Sequence, residues 1–137
     1  MLQFLFDTDH LTLFEQNDPA LRRNLTRRGL VGIGLSVVTV EESLRGRLAA
    51  LSRSRDGPTR ILNYARLVKT VEQLRLFPIV PFDQAAENFS QQFRSVRIGT
   101  QDLKIAATAL ANNLTLLTRN RRDFGRVPGL QLDDWSV

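Results

Sequence analysis

The chain has 137 residues, of which 42% are hydrophobic, and contains no cysteine. This length and apolar content predict one globular domain over residues 1–137, and the lack of cysteine excludes disulfides, thiolate zinc sites and cysteine nucleophiles. The net charge is +5, with 17 arginines and two lysines. Because the planar guanidinium suits phosphate recognition, nucleic acid is the leading expected partner, with an anionic membrane or an acidic protein as alternatives.

The first predicted element is a short apolar strand, Leu2–Phe6, followed by the first charge, Asp7. Two interpretations of Asp7 stay open: it caps the next helix, His10–Glu15, or it belongs to a site at the carboxyl end of the strand. His10 is the single histidine. Because no second histidine or cysteine accompanies it, we expect it on the helix surface rather than as a metal ligand.

A short basic helix, Ala20–Arg28, leads to a second β-type run, Leu30–Val38, and to a helix over Glu41–Leu51. Thr39 and Glu42 have the spacing of a capping box, which would give Glu42 a structural role. The alternative is that Glu42 belongs to a site, because the strand-to-helix junctions of a parallel sheet meet along one edge.

Residues 41–76 are predicted to form a helical hairpin that is broken at Asp56–Pro58. Its seven arginines serve solubility, or they face another chain or a phosphate backbone. The three that we select as candidates for binding nucleic acid or a protein partner are Arg45, Arg53 and Arg60.

The strand Phe77–Val80 and the helix Gln84–Arg94, for which Asp83 is the expected N-cap, precede a segment with two more acids. The first of these, Asp102, lies in the first turn of a helix that we expect Thr100 to cap. An acid at a helix start in an α/β fold lies where such folds concentrate ligand chemistry.

A second acid, Asp123, follows the buried strand Leu114–Thr118. A last strand is predicted at Leu130–Leu132, with Trp135 packing over an open edge of the core. The alternation of strands and helices predicts an α/β fold with a parallel sheet, whose strand ends lie along one edge.

Four acids therefore fall at strand ends or helix starts: Asp7, Glu42, Asp102 and Asp123. Four carboxylates in one cleft repel one another, and a hard divalent cation stabilises such a cluster. With no cysteine and no second histidine, the oxygen-only set favours Mg²⁺ or Mn²⁺ over zinc. Magnesium held by carboxylates activates water at a phosphodiester, and a basic surface would hold that polyanionic substrate.

Five segments, in their order and spacing, resemble PIN domains, specifically the VapC toxins of bacterial toxin–antitoxin pairs. They cover nearly the whole chain: residues 7–9 (DTD), Ser36–Gly46, Gly99–Leu110, Leu116–Phe124 and Val127–Ser136. The resemblance implies an α/β/α sandwich with a central, mostly parallel sheet and a protruding helical hairpin. It also implies a Mg²⁺-dependent ribonuclease in which Asp7, Glu42 and Asp102 hold the metal, and Asp123 matches the fourth, more variable catalytic acid.

Two positions depart from the PIN pattern. Glu41 precedes Glu42 where many relatives carry an apolar or neutral residue, so either carboxylate qualifies as the ligand, and the fit of the surrounding segment favours Glu42. Many PIN domains have an acid nearer the position of Asn120, which leaves the fourth ligand open between Asp123 and Asn120. In the alternative, Asn120 orients a water molecule, and Thr118 is expected to assist it.

The resemblance further implies a homodimer and neutralisation by a cognate antitoxin whose tail covers the acidic cleft, so a toxin–antitoxin hetero-oligomer is expected. The expected substrate is structured RNA such as tRNA, and the expected location is the cytoplasm, with no membrane partner. Two alternative functions stay open: a PIN-fold nuclease acting on ribosomal RNA or DNA, and a non-catalytic module that binds nucleic acid.

Overall fold

A computed structural model describes residues 1–137. Its centre is a five-stranded sheet in the spatial order β3-β2-β1-β4-β5, and every neighbouring pair of strands is parallel. The predicted α/β fold with a parallel sheet is confirmed. The strands are β1 (Phe4–Phe6), β2 (Ile33–Ser36), β3 (Ile79–Val80), β4 (Thr115–Leu117) and β5 (Leu132–Asp133).

Seven helices cover both faces of this sheet. Leu5 and Phe6, consecutive residues of β1, pack into two different apolar clusters, because successive side chains of a strand point to opposite faces. The layers are therefore helix, sheet and helix. The helices are α1 (Thr8–Glu15), α2 (Pro19–Arg28), α3 (Val37–Ser52), α4 (Gly57–Leu74), α5 (Gln84–Gln92), α6 (Thr100–Ala111) and α7 (Arg121–Phe124).

The strand order creates a switch point between β1 and β4. From β1 the chain builds outward through β2 and β3 on one side, and β4 and β5 lie on the other side. Just past the strand ends, the Asp7 N–H donates to the carbonyl of Leu117 at 3.1 Å. In open parallel sheets, ligands bind outside the carboxyl ends of the strands at such a point.

The predicted start of the third helix is wrong. α3 begins at Val37, because the Ser36 hydroxyl accepts a hydrogen bond from the Val38 N–H at 3.0 Å and caps the helix. This cap ends the second strand two residues before the apolar run ends. Thr39 is buried inside α3, so the Thr39–Glu42 capping box does not exist, and Glu42 lies in the second turn.

Other predicted ends also differ. Thr100 is not the N-cap of α6: Gly99 occupies that position and supplies no side-chain hydrogen bond. The last strand is Leu132–Asp133 rather than Leu130–Leu132. The predicted cap at Asp83 is confirmed, since its carboxylate accepts from the Ala86 N–H at 3.0 Å.

The predicted surface position of His10 is wrong, because its side chain is fully buried. Its ring lies 5.9 Å from that of Phe6, and its Nε2 accepts a hydrogen bond from the Trp135 N–H at 3.2 Å. That partner is 125 residues away. The apolar periodicity of α1 alone therefore does not indicate that a histidine on its inward face would find a hydrogen-bond partner.

The predicted helical hairpin is formed by α3 and α4, which pack against each other. The outer face of α4 is unusually apolar, with Ile61 73% exposed, followed by Tyr64 and Val68 along the same stripe. None of the helices is both long and apolar enough to cross a membrane.

Candidate active site

Asp7 caps α1 and also lines a cavity at the switch point. Its Oδ1 accepts a hydrogen bond from the His10 N–H at 2.7 Å, which confirms the capping interpretation. The same side chain is one wall of a cavity of about 330 Å³ outside the ends of β1 and β4. We call this the acid cavity; its lining residues are Asp7, Thr8, Asp9, Asp102, Arg119, Asn120 and Phe124.

Asp102 lies close to the other predicted acids. It lies in the first turn of α6, half-buried against the acid cavity. Burial raises the pKa of its carboxyl to about 6, and the negative charges of Glu42, Asp7 and Asp123 contribute to the rise. The fold therefore brings the four predicted acids, which come from four separate parts of the chain, within electrostatic reach of one point.

Glu42, and not Glu41, faces this region. One Glu42 oxygen accepts from the Thr8 hydroxyl at 2.7 Å, and Thr8 lines the acid cavity. Glu41, the preceding residue of α3, is exposed, accepts from the Gln101 amide and pairs with Arg45. The structure thus separates the two adjacent glutamates that the sequence left as alternatives.

Asp123 is held by a chain of hydrogen bonds that runs through two other predicted residues. The buried Thr118 hydroxyl accepts from the Asn120 N–H at 2.9 Å, and Asn120 caps α7 by accepting from the Asp123 N–H at 3.2 Å. The Asn120 amide also donates to Asp123 at 3.1 Å. The Asn120 oxygen caps α7, whereas the two oxygens of Asp123 accept from the Asn120 amide and, at 3.2 Å, from the guanidinium of Arg126.

Two residues of the acid cavity, Asp9 and Arg119, were missed as site residues. The Arg119 guanidinium donates two parallel hydrogen bonds to Asp9, each 2.7 Å long. The position of Asp9, two residues after Asp7, was an available signal. The pairing itself spans 110 residues and has no local signature.

The donor set fits a hard cation that retains part of its water. Asp7, Asp9 and His10 form the one group whose ligand atoms all lie within 4.8 Å of one another, but Arg119 occupies both oxygens of Asp9. Asp7 has no such competitor and adjoins Asp102 in the cavity. Mg²⁺ is commonly held by one or two carboxylates plus waters, so tight packing of all ligands is not required.

The three candidate arginines of the hairpin lie in different settings. Arg45 is exposed and paired with Glu41, and Arg60 is exposed in the first turn of α4. Arg53 lines a second cavity between α1, α3 and α4. The structure therefore does not bring these arginines together at the acids.

Comparison with known proteins agrees with this architecture. The model of the family described as "PIN domain" matches residues 6–130, which include all four predicted acids. The chain belongs to the PIN domain family. This PIN domain is 29% identical over 142 residues to "tRNA(fMet)-specific endonuclease VapC" of Shigella flexneri, with 99% of this chain and 100% of the relative covered. It is 26% identical to the protein of that name from Salmonella typhimurium, covering 98% and 99% of the two chains.

Solved structures share the fold. DNA-bound VapBC from Salmonella typhimurium superposes with a TM-score of 0.77 at 22% identity, covering 98% of this PIN domain and 99% of that chain. FitAcB from Neisseria gonorrhoeae gives a TM-score of 0.74 at 26% identity, covering 97% and 98%. Each superposition covers nearly the whole of both chains.

Proposed function

We propose that this chain is a VapC-type ribonuclease toxin, a metal-dependent endoribonuclease in which residues 1–137 act as a single PIN domain. The observation that carries the proposal is the convergence of Asp7, Glu42, Asp102 and Asp123, expressed in the raised pKa of Asp102. Uncompensated negative charge in a cleft is stabilised by a divalent cation. Two relatives covered over nearly their full length are named tRNA(fMet)-specific endonuclease, which supports the choice of RNA.

In this proposal Asp7, Glu42 and Asp102 hold Mg²⁺ or Mn²⁺, and Asp123 is the fourth acid. A bound ion of this kind supplies an activated water and stabilises the leaving oxygen of a phosphodiester. The Thr8 hydroxyl fixes the rotamer of Glu42 by its hydrogen bond. Thr118 and Asn120 fix Asp123 through the chain of hydrogen bonds described above, so their proposed role is positioning.

The proposed substrate is structured RNA such as tRNA, and the proposed partner is a cognate antitoxin that neutralises the enzyme. Structures of VapBC from Salmonella typhimurium and Rickettsia felis, which share the fold, support a partnered toxin. A homodimer is proposed with it. Arg45, Arg53 and Arg60 are proposed to contribute charge to binding RNA or the antitoxin.

The direct test is cleavage of RNA by purified protein without any antitoxin. Total RNA, isolated tRNA and single-stranded DNA are incubated with Mg²⁺, with Mn²⁺ or with EDTA. We expect endonucleolytic cuts in tRNA with either metal and none in EDTA. The matched control is Asp102→Asn prepared identically, because a contaminating nuclease would survive that substitution.

Three results would contradict the proposal in different ways. Undiminished RNA cleavage in EDTA would show that the reaction needs no divalent metal. Cleavage of DNA in preference to RNA would show that DNA is the substrate. Binding of RNA without any cleavage in either metal would make the chain a non-catalytic module.

A further inference from the structure

A cavity larger than the acid cavity adjoins it. It has a volume of about 610 Å³, lies between α1, α3 and α4, and is lined by Thr8 and Glu42 at one end. Thr8 also lines the acid cavity, and its hydroxyl donates to Glu42 at 2.7 Å. The two cavities therefore share Thr8, whose hydroxyl binds the proposed metal ligand Glu42 in the wall of the larger one.

Four cations line this larger space, which we call the cation cavity: Arg47, Arg53, Arg66 and Lys69. None of them takes part in an ion pair of the chain. The lining contains two carboxylates, those of Glu42 and Glu15. Burial raises the pKa of Glu15, and the charges of Arg47 and Lys69 oppose that rise, so the positive charge reaches the cavity interior.

Arg47 is fixed in position across the helical hairpin. Its Nε donates to the hydroxyl of Thr70 on α4 at 3.0 Å, and Thr70 is only 3% exposed. A guanidinium has five N–H donors, so this single bond orients the group and leaves its other donors free. A preorganised arginine with free donors is suited to a phosphate oxygen.

The lining favours a polyanion over a protein segment. Of the 14 lining residues, one is hydrophobic, namely Ala50. Peptides and helices of protein partners dock mainly through apolar anchor residues, for which this cavity has no matching surface. Phosphate groups need cations and hydrogen-bond donors, which this lining supplies.

Gly46 adds an independent observation. It lies in the middle of α3, where glycine costs roughly 0.5–1 kcal/mol relative to alanine. A Cβ at this position would meet no atom within 4 Å, so neighbouring side chains do not require a glycine. The missing side chain instead keeps the wall of the cation cavity open.

We propose that the cation cavity binds phosphate groups of the RNA strand on one side of the bond that is cut at the acids. The inference rests on the proposed function, whose scissile phosphodiester it places at Glu42. The strand enters along α4, passes Gly46 and the free donors of Arg47, and reaches the acid cavity at Thr8. The hairpin thereby acts as a substrate-binding arm of the nuclease.

The first test removes charge at matched positions. The cavity variant is Arg53→Gln/Arg66→Gln/Lys69→Gln, and the control is Arg27→Gln/Arg55→Gln/Arg75→Gln, three exposed arginines that do not line the cavity. Both lose the same charge. Binding of a single-stranded RNA oligonucleotide is measured against salt in an Asp102→Asn background, which prevents cleavage.

We expect the cavity variant to bind at least about tenfold more weakly at low salt than the control variant. The slope of log K against log salt should fall by about two, because each phosphate contact on a single strand contributes ~0.7. Equal affinities and slopes for the two variants would overturn the inference.

The second test fills the space without changing charge. Gly46→Leu should weaken RNA binding as the cavity variant does, while Gly46→Ala, which adds one methyl group, should weaken it less. Melting temperatures of both proteins verify the fold, and alanine should raise stability because of its helix propensity. RNA binding by a folded Gly46→Leu protein that matches the unsubstituted chain would overturn the inference.

A protein-binding role is tested with polyglutamate as an acidic polypeptide probe. Loss of polyglutamate affinity in the cavity variant with RNA affinity unchanged would make the cavity a protein-docking site and overturn the inference. The proposed function is tested separately, by measuring whether the unsubstituted chain cleaves the same RNA. The binding measurements decide the inference whichever way that cleavage assay falls.

Discussion

The acid cavity and the cation cavity share Thr8 but are built by different means. The sheet determines where the acids lie, because parallel strands end along one edge and Asp7 is the first residue beyond β1. The cations lie on the two long helices of the hairpin, far along the chain from any strand end. Topology thus places the acids, and helix packing places the cations.

The two cavities also differ in how their charge is balanced. The charges that shift the pKa of Asp102 are those of Glu42, Asp7 and Asp123, and each of them raises it. Around Glu15 in the cation cavity the neighbouring charges are positive and oppose the effect of burial. Negative charge thus gathers around Asp102, whereas the cation cavity, with four cations and two carboxylates, carries an excess of positive charge.

Substitution of Glu42, which is hydrogen-bonded to Thr8 beside the acid cavity, should have the strongest effect on activity. Glu42→Gln should reduce RNA cleavage by about a hundredfold or more, because a proposed metal ligand loses its charge while the amide oxygen can still accept from Thr8. The melting temperature of the metal-free protein should be unchanged or higher, since a like charge has been removed. Both quantities are measured on the same preparation.

The neighbouring Glu41→Gln is the matched control, because it removes the same charge one residue away on an exposed turn. It should cleave RNA within about twofold of the unsubstituted chain, as expected for a surface substitution. Equal activity of the two variants, whether both high or both low, would show that the structure has not separated these glutamates.

The next effect concerns the buried His10, which follows Asp7 in α1. His10→Leu should lower the free energy of unfolding by ~1–3 kcal/mol, because the buried N–H of Trp135 loses its acceptor. His10→Gln should be less damaging, since its side-chain oxygen can accept the same bond. Urea unfolding measures both, and a leucine variant as stable as the parent would show that this buried contact contributes nothing.

The smallest effect is the pH dependence of stability that Asp102 causes. Its pKa rises from an ordinary 3.8 to about 6, so the folded carboxyl holds its proton more tightly than the unfolded one. The resulting stabilisation is complete below pH 4 and is lost as the pH rises through about 6. The full displacement corresponds to ~3 kcal/mol, and partial exposure to solvent reduces this to about 1 kcal/mol.

The asparagine side chain in Asp102→Asn cannot ionise, so this variant does not lose that stability as the pH rises. In EDTA, its stability relative to the unsubstituted chain should increase by about 1 kcal/mol between pH 4 and pH 7. Urea unfolding across that range gives the difference. A constant difference across the range would mean that Asp102 is not crowded by the other acids.

The sequence predicted the parallel sheet and the place of Asp7 beside it, because strands appear as apolar runs and Asp7 is the first charge after its run. It placed His10 on the surface, although the ring is buried and accepts a hydrogen bond from the distant N–H of Trp135. It also started α3 too late, because the Ser36 hydroxyl caps the helix within an apolar run. The Asp9–Arg119 pair and the cation cavity depend on contacts between distant segments. No local pattern encodes such contacts.

Thermal unfolding with Mn²⁺ shows directly whether the four acids form a site for a divalent cation. At neutral pH the unsubstituted chain and Glu41→Gln should melt at a higher temperature in Mn²⁺ than in EDTA, since a ligand that binds the folded state stabilises it. Asp102→Asn should melt as high as the parent or higher in EDTA and gain little from Mn²⁺. An equal gain in Asp102→Asn and the unsubstituted chain, or no gain in either, would show that these acids do not form a site for the cation.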